Sequence, residues 1–257
     1  MTQDSAVLET ALRDEYQRQG FFILEGVVDD AAVAAIKADI ARISEKEGRA
    51  HTYFDRSGKL RRLEKFTAES ESVGAANRRI LALLQDVFGQ RHVLFKDKYN
   101  FKPPAGEGFF AHYDGVFKFL GADGAEHDGW YEYTDDFVNA LVALDDFTPD
   151  NGPLEVAPWH NDGFETLFQR TKQNGTPDLT EAEEAKCNFK PILIRKGGVV
   201  VFSNRCPHRS KKNLSDASRG SLYLTYNAAA MGDFYDAYFR DKSASQNKTS
   251  KSLSGEV

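Results

Sequence analysis

Residues 92–102 read HVLFKDKYNFK, and within them the apolar period of the chain changes from that of a helix to two. Phe95, Asp97, Tyr99 and Phe101 alternate with Lys96, Lys98, Asn100 and Lys102, so an extended chain places the two sets on opposite faces of a sheet. Upstream the pattern is helical. Leu8, Leu12 and Tyr16 recur at helical spacing ahead of Gly20. Asp29 or Asp30 can cap a helix whose inner stripe is Val33, Ile36, Ile40 and Ile43. Ile80, Leu83, Leu84, Val87 and Phe88 suit a third helix closed by Gly89. One short apolar strand, FFILEGVV, interrupts these helices.

Downstream, VNALVALDDF, GGVVVFSN and GSLYLTYNAAA read as further strands, and TPDNGP is a turn between two of them. Thr180 and Glu183 stand at capping-box spacing, which inserts a short helix at LTEAEEAKC. The expectation is a mainly β, α+β protein: a helical part over about 1–90 packed on an antiparallel barrel or jelly roll over about 91–235. No linker separates the parts, so one domain is expected over 1–240, followed by a polar, disordered tail over 241–257.

Of the 257 residues, 41% are hydrophobic and 28% charged, the balance of a soluble globular protein. A net charge of −6 speaks against a general nucleic-acid binder, and no apolar run has the length of a membrane span. The N-terminal MTQDSAVLET has neither the basic nor the apolar region of a signal peptide, and Cys187 and Cys206 make no disulfide framework. The expected setting is the cytoplasm.

The chemistry begins at FFAHYDGVF, residues 109–117. His112 and Asp114, two apart near a strand end, point to one side. An isolated HxD also fits a surface turn. A third donor is available in His208, which follows the apolar strand of VVVFSNRCPHRSKKN. Two imidazoles and a carboxylate on one face are the donor set of non-haem Fe(II) oxygenases, with three positions left for co-substrate and O2. His51, His92, His127 and His160 lack such a context. Ser210 lies two residues after His208, and Arg219 eleven residues after it, opening the strand RGSLYLTYN. An arginine facing a barrel interior needs an anion, and a guanidinium grips a carboxylate by two parallel hydrogen bonds. The remote carboxylate of 2-oxoglutarate is such an anion. The other reading of Arg219 is a surface residue in the SDASRG turn.

HxD, a late His, Ser at +2 and Arg at +11 together resemble the phytanoyl-CoA dioxygenase (PhyH-like) family of Fe(II)/2-oxoglutarate oxygenases. YNFKPPAGEGFFAHYD is similar to the family's Lys-Pro strand end ahead of the HxD. DNGPLEVAPWHND resembles its NNG-x-L-x-x-x-PGSH segment, with Trp159 in place of the usual Gly. The likeness runs from about residue 10 to 240. It implies a double-stranded β-helix core flanked by N-terminal helices. It implies Fe(II) on His112, Asp114 and His208, and 2-oxoglutarate held by Arg219 with help from Ser210 and Lys102, Asn100 lying near. Because relatives that halogenate lack the acidic ligand, Asp114 implies hydroxylation.

The substrate reading rests on two clusters. Lys96, Lys98, Arg205 and Arg209 would bind an anion if they face inward; otherwise they are solvated strand edges. Trp130, Tyr131 and Tyr133, with Glu132 and Asp135, would cage an ammonium, or simply pack across the barrel mouth. Phe109, Phe110, Tyr113 and Phe117 would keep water from the metal, or are barrel core. Within the family the strings look most like the hydroxylases of aminoalkylphosphonates, including 2-aminoethylphosphonate and 2-trimethylaminoethylphosphonate, whose products pass to a C–P-cleaving oxygenase. The alternatives are a hydroxylase of a free amino acid, betaine or secondary-metabolite scaffold, and a non-catalytic metal-binding β-barrel protein.

Overall fold

Strand period two puts one side of each strand against helices and the other against a second sheet, and the whole architecture follows from that division. The computed structural model describes residues 3–54, 58–121, 123–159 and 164–253. The chain runs α1 (Gln3–Gln19), β1 (Phe21–Leu24), α2 (Asp30–Ser44), β2 (Thr52–Phe54), β3 (Leu60–Glu64) and α3 (Glu71–Phe88). It continues through β4 (His92–Lys102), β5 (Phe109–His112), β6 (Phe119–Leu120), β7 (Glu126–His127), β8 (Phe137–Ala143) and β9 (Leu154–Val156). Then come α4 (Phe164–Asn174), α5 (Glu181–Glu184), β10 (Lys190–Pro191), β11 (Val199–Ser203), β12 (His208–Ser210), β13 (Arg219–Ala228) and α6 (Tyr235–Leu253).

Seven strands form one antiparallel sheet in the order β1-β11-β8-β13-β4-β3-β2, and four form a second in the order β10-β9-β12-β5. The non-consecutive neighbours make this a jelly roll, with β6 and β7 as a separate hairpin. Val138, Ala140, Val142, Val199, Val201, Leu222 and Leu224 turn to the helices and bury with Ile36, Ile40, Ile80 and Leu84. Leu141, Ala143, Val200 and Phe202 turn inward onto Leu154 and Val156 of the second sheet and onto Ile192 and Ile194, which follow β10. The helix ends follow local chemistry. The Asp29 side chain accepts from the Ala32 amide, and Gly89 ends α3 in the left-handed region at φ 69°. The capping box at Thr180 and Glu183 is formed.

Three expectations need correction. The stretch 1–90 is not only helical, since β2 and β3 extend the large sheet beyond β4; these strands are too short and too charged to announce a period. Phe95 does not share the helix-facing side with Tyr99. The β4–β13 register shifts there, pairing Lys96 with Thr225 and Leu94 with Tyr226, and this bulge frees Phe95 to pack with Trp130, Phe137, Tyr238 and Phe239. Finally, helix α6 covers most of the span expected as a disordered tail. Tyr235, Tyr238 and Phe239 anchor it, and residues 254–257 lie outside the described residues. Among the described residues no helix is long and apolar enough to cross a membrane.

Candidate active site

His112 ends β5, Asp114 follows two residues later, and His208 opens β12 directly opposite His112 in the antiparallel pairing. This register lays the two imidazoles side by side, ring centroids 4.3 Å apart. Donor atoms of the three residues all lie within 4.8 Å of one another. Nε2 of His112 is 3.9 Å from Asp114 Oδ1, and Nε2 of His208 is 3.5 Å from Asp114 Oδ2. Each ring is turned by its own strand: His112 Nδ1 donates to the Phe110 carbonyl (2.7 Å) and His208 Nδ1 to the Cys206 carbonyl (3.2 Å). A carbonyl only accepts, so Nδ1 of each ring carries a proton and Nε2 is the nitrogen turned toward Asp114. Behind Asp114 the chain turns through Gly115 at φ 81°, where an added Cβ would lie 2.9 Å from Trp130.

Electrostatics suit a cation among these atoms. Burial, then the neighbouring His112, brings the His208 imidazole down to about 4, so it is neutral at ordinary pH. Burial alone would raise the Asp114 carboxyl, but His208, Lys98 and His112 hold it at about 2. Asn139, on the inward side of β8, donates from Nδ2 to Asp114 Oδ2 (3.1 Å), and Thr225 Oγ1 donates to Asn139 Oδ1 (2.7 Å). Two imidazole nitrogens and one carboxylate oxygen are a donor set that fits a divalent first-row metal. Sequence reading missed Asn139, although the inward position in VNALVA was a signal for it.

A second basin, of about 260 Å³, is walled by Asn100, Lys102, Ser210, Arg219, Ser221 and Tyr223, and Asn100, Ser210 and Tyr223 also line the cavity that holds the triad. Arg219 is only 4% exposed. Its Nη1 donates to Ser221 Oγ (3.0 Å), its guanidinium lies 4.4 Å from the Phe147 ring centre, and Nε has no partner. Among the described residues no carboxylate pairs with it, so a small carboxylate fits here. Lys102 is spent differently from the expectation. Its ammonium already donates to Gly152 O (3.2 Å), Ser210 Oγ (2.9 Å) and Lys211 O, which uses all three donors. Burial, then Arg219, brings it down to about 7. It fixes Ser210 as acceptor and leaves the serine hydroxyl proton free for an anion.

The triad lines the main cavity, of about 380 Å³, together with Arg62, Glu64, Lys96, Lys98, Asn100, Tyr113, Trp130 and Tyr223. Of the two readings of the β4 lysines, the inward one describes Lys96 and Lys98, which line this cavity. Lys98 sits 4.6 Å from the Tyr223 ring centre, and among the described residues it has no ion-pair partner. Burial brings its ammonium down to about 7. Lys96 is bonded to Glu64 (3.1 Å) and lies 5.0 Å from the Trp130 ring centre. Several substrate candidates go elsewhere. Tyr131 OH donates to the Asp114 carbonyl (3.3 Å), while Tyr133 OH donates to Asp241 (2.7 Å). Glu132 pairs with His127 and Asp135 with Lys172, so these two acids do not join Trp130, Tyr131 and Tyr133 in an ammonium cage. Arg205 pairs with Glu165 and stacks on Phe168, and Arg209 is matched by Glu155 and Glu184. Phe109 and Phe117 line the cavity, Tyr113 is buried in its wall, and Phe110 is 81% exposed outside it. Trp159 packs on Tyr16, and His160 lies outside the described residues.

The chain is 28% identical over 242 residues to the 2-aminoethylphosphonate dioxygenase of an uncultured bacterium (HF130_AEPn_1), covering 90% of this chain and 86% of that one. It is 32% identical over 157 residues to the methylphosphonate hydroxylase of Gimesia maris, covering 61% of this chain and 53% of that one. Among solved structures, EctD from S. alaskensis with bound Fe superposes with a TM-score of 0.66 at 20% identity, over 90% of this chain and 80% of that one. The model of the phytanoyl-CoA dioxygenase (PhyH) family matches residues 16–221, a span holding His112, Asp114, His208, Ser210 and Arg219 on the strands just described. The chain belongs to the phytanoyl-CoA dioxygenase family.

Proposed function

We propose that this dioxygenase holds Fe(II) through Nε2 of His112 and His208 and a carboxylate oxygen of Asp114. We further propose that it hydroxylates the carbon next to phosphorus in a small organophosphonate, with an aminoalkylphosphonate such as 2-trimethylaminoethylphosphonate as first candidate. The observation carrying this reading is one wall of the main cavity, where Arg62, Lys96, Lys98 and Lys242 surround a space that also contains the triad. Such a wall recognises an anion, and its place beside the metal donors sets a bond close to that anion against the oxidant. When bound, Fe(II) and 2-oxoglutarate supply the oxidation: one atom of O2 enters the C–H bond as a hydroxyl, the other enters succinate, and CO2 leaves.

The residues divide the remaining work. Arg219 takes the carboxylate of 2-oxoglutarate remote from the metal, with the Ser210 hydroxyl as a second donor. Asn139 keeps Asp114 oriented. Phe109, Phe117, Tyr113 and Trp130 reduce access of water to the reacting carbon. Asp114 occupies the position that a halide would need, so the product is an alcohol. The ammonium cage is not formed, so the anion dominates recognition and methylphosphonate belongs among the test substrates. The product, an α-hydroxyphosphonate, suits a following oxygenase that cleaves the C–P bond.

The test is succinate formation from 2-oxoglutarate with Fe(II) and ascorbate, in the presence of 2-aminoethylphosphonate, 2-trimethylaminoethylphosphonate, methylphosphonate or glycine betaine. A phosphonate should stimulate turnover and emerge hydroxylated. Asp114→Ala and Arg219→Ala should each lower that rate by at least about 100-fold, the scale of losing a metal ligand or a buried charge partner. Stimulation by betaine alone favours the amino-acid or betaine reading. Turnover undiminished in both variants removes the assignment of the site.

A further inference from the structure

Helix α6 lies beyond the 16–221 span of the family match, yet Tyr238, Lys242 and Ser245 from it line the main cavity. Its placement is over-determined. Tyr235 OH donates to Asp97 (3.1 Å), Tyr133 OH donates to Asp241 (2.7 Å), and Ser243 Oγ meets His51 Nε2 at 3.1 Å. Tyr238 and Phe239 are buried with Phe95, Trp130 and Phe137. Lys242 therefore reaches the cavity from a fixed direction.

There it meets an unequal charge balance. Glu64, with no exposed side-chain surface, faces Lys96 at 3.1 Å, Arg62 at 3.8 Å and Lys242. One carboxylate thus stands against three cations, while Lys98 shares the cavity with the Asp114 carboxylate. Lys96 is nearly buried over the Trp130 ring and is bonded to Glu64 Oε1. Lys242 is bonded to the other oxygen, Oε2, yet keeps 19% of its side chain exposed and lines the cavity, with ammonium donors beyond the one Glu64 takes. Surplus buried charge is unfavourable until an anion meets it.

We propose that Lys242 is a specificity-determining residue that, with Lys98 and Arg62, holds the anionic head of the substrate and makes the site prefer a tetrahedral dianion to a carboxylate. The inference rests on the organophosphonate reading. Arg62 and Lys98 come from the paired strands β3 and β4 of the large sheet, and Lys242 comes from helix α6. A phosphonate offers three oxygens and up to two charges to such donors. A carboxylate offers two coplanar oxygens and one charge, and leaves more of the wall unmatched.

The experiment measures anaerobic binding of 2-aminoethylphosphonate and of its carboxylate isostere β-alanine to the protein loaded with Fe(II) and 2-oxoglutarate. Lys242→Gln should weaken phosphonate binding by about 10-fold or more, the loss of a hydrogen bond between charged groups, and β-alanine binding by less than about 3-fold. Lys242→Arg should restore most of the preference. In steady state, KM for the phosphonate should carry the change. Equal losses for both ligands overturn the inference, as does an unchanged ratio. Should the Gln variant no longer be stabilised by 2-oxoglutarate, the wild type decides. Acetylation of Lys242 should be suppressed by 2-aminoethylphosphonate and not by β-alanine, and equal suppression overturns the inference. A wild type that binds no phosphonate removes the organophosphonate reading as well, whereas tight phosphonate binding indifferent to Lys242 removes this inference alone.

Discussion

Asn139 shows how much a single neutral side chain can govern in a charged site. Its amide nitrogen holds one oxygen of Asp114 at 3.1 Å, and Thr225 fixes the amide by donating to its oxygen. The carboxylate is thereby held with its other oxygen toward His112. Partners of this kind commonly set metal affinity, so Asn139→Ala should weaken Fe(II) or Co(II) binding by about 10- to 100-fold. Thr225→Val should give a smaller loss in the same direction. A competition titration with a metal chelator reads both, and unchanged affinity in Asn139→Ala would show that Asp114 keeps its orientation unaided. Arg219 illustrates the complementary case: a buried cation with an unused Nε and no carboxylate among the described residues. Arg219→Lys should still leave 2-oxoglutarate binding at least about 10-fold weaker, because a point charge cannot reproduce two parallel hydrogen bonds. Isothermal titration checks it.

At the scale of elements, the β4 strand carries two programmes at once. Its inward face presents Lys96, Lys98, Asn100 and Lys102 to the cavities. On its other face Asp97, fully buried, accepts from the amides of Lys65, Phe66 and Thr67 and from the hydroxyls of Thr67 and Tyr235. Asp97 therefore ties the β3–α3 connection to the start of α6. The helix itself is held by Phe239, which is fully buried between Tyr235, Tyr238 and His51. Phe239→Ala should cost about 3–5 kcal/mol and lower Tm by about 2–4 °C for each kcal/mol. Loss of the α6 anchor should also weaken phosphonate binding, because Lys242 depends on it. A calorimetric scan with a binding titration tests both, and a stable variant with intact binding would show that α6 docks without this ring.

For the whole molecule, charge buried in the cavity links stability to pH in two opposite windows. The Lys98 and Lys102 ammonium groups lie at about 7 in the folded protein through burial, against roughly 10.4 when unfolded. Between those values the unfolded chain binds the protons that the folded chain has released, so stability rises with pH. The metal-free protein should gain Tm from pH 7 to about 9.5, and Lys98→Met should flatten the rise. A bound phosphonate keeps Lys98 protonated and should reduce it further. At the acid end, burial opposes ionisation of Glu64, but Lys96 and Lys242 hold its carboxyl at about 2. Its contribution is complete above its unfolded value of about 4.3 and disappears as pH falls toward 2. Thermal scans across pH settle the signs; a Tm that falls between pH 7 and 9.5 contradicts the account of the lysines.

Local periodicity and short spacing made part of this protein legible in its chain. Alternation in HVLFKDKYNFK placed four polar side chains on one face. The i, i+2 spacing of His112 and Asp114 put two donors together, and the placement of His208, Ser210 and Arg219 pointed to a third donor and a candidate anion site downstream. Neighbourhood in sequence misled where the backbone leaves regular structure. Across the short turn Gly129–Glu132 and the residues after it, consecutive side chains point in different directions, so Trp130 enters the cavity wall while Tyr131 and Tyr133 turn to Asp114 and Asp241. Only the tertiary structure decided the rest. Pairing of β3 with β4 brings Arg62 opposite Asn100, and docking of α6 brings Lys242 to Glu64, 178 residues away in the chain. No periodicity encodes such meetings, because they arise from strand order and from the burial of Tyr238 and Phe239, and those contacts bring Arg62, Glu64 and Lys242 together in the cavity wall.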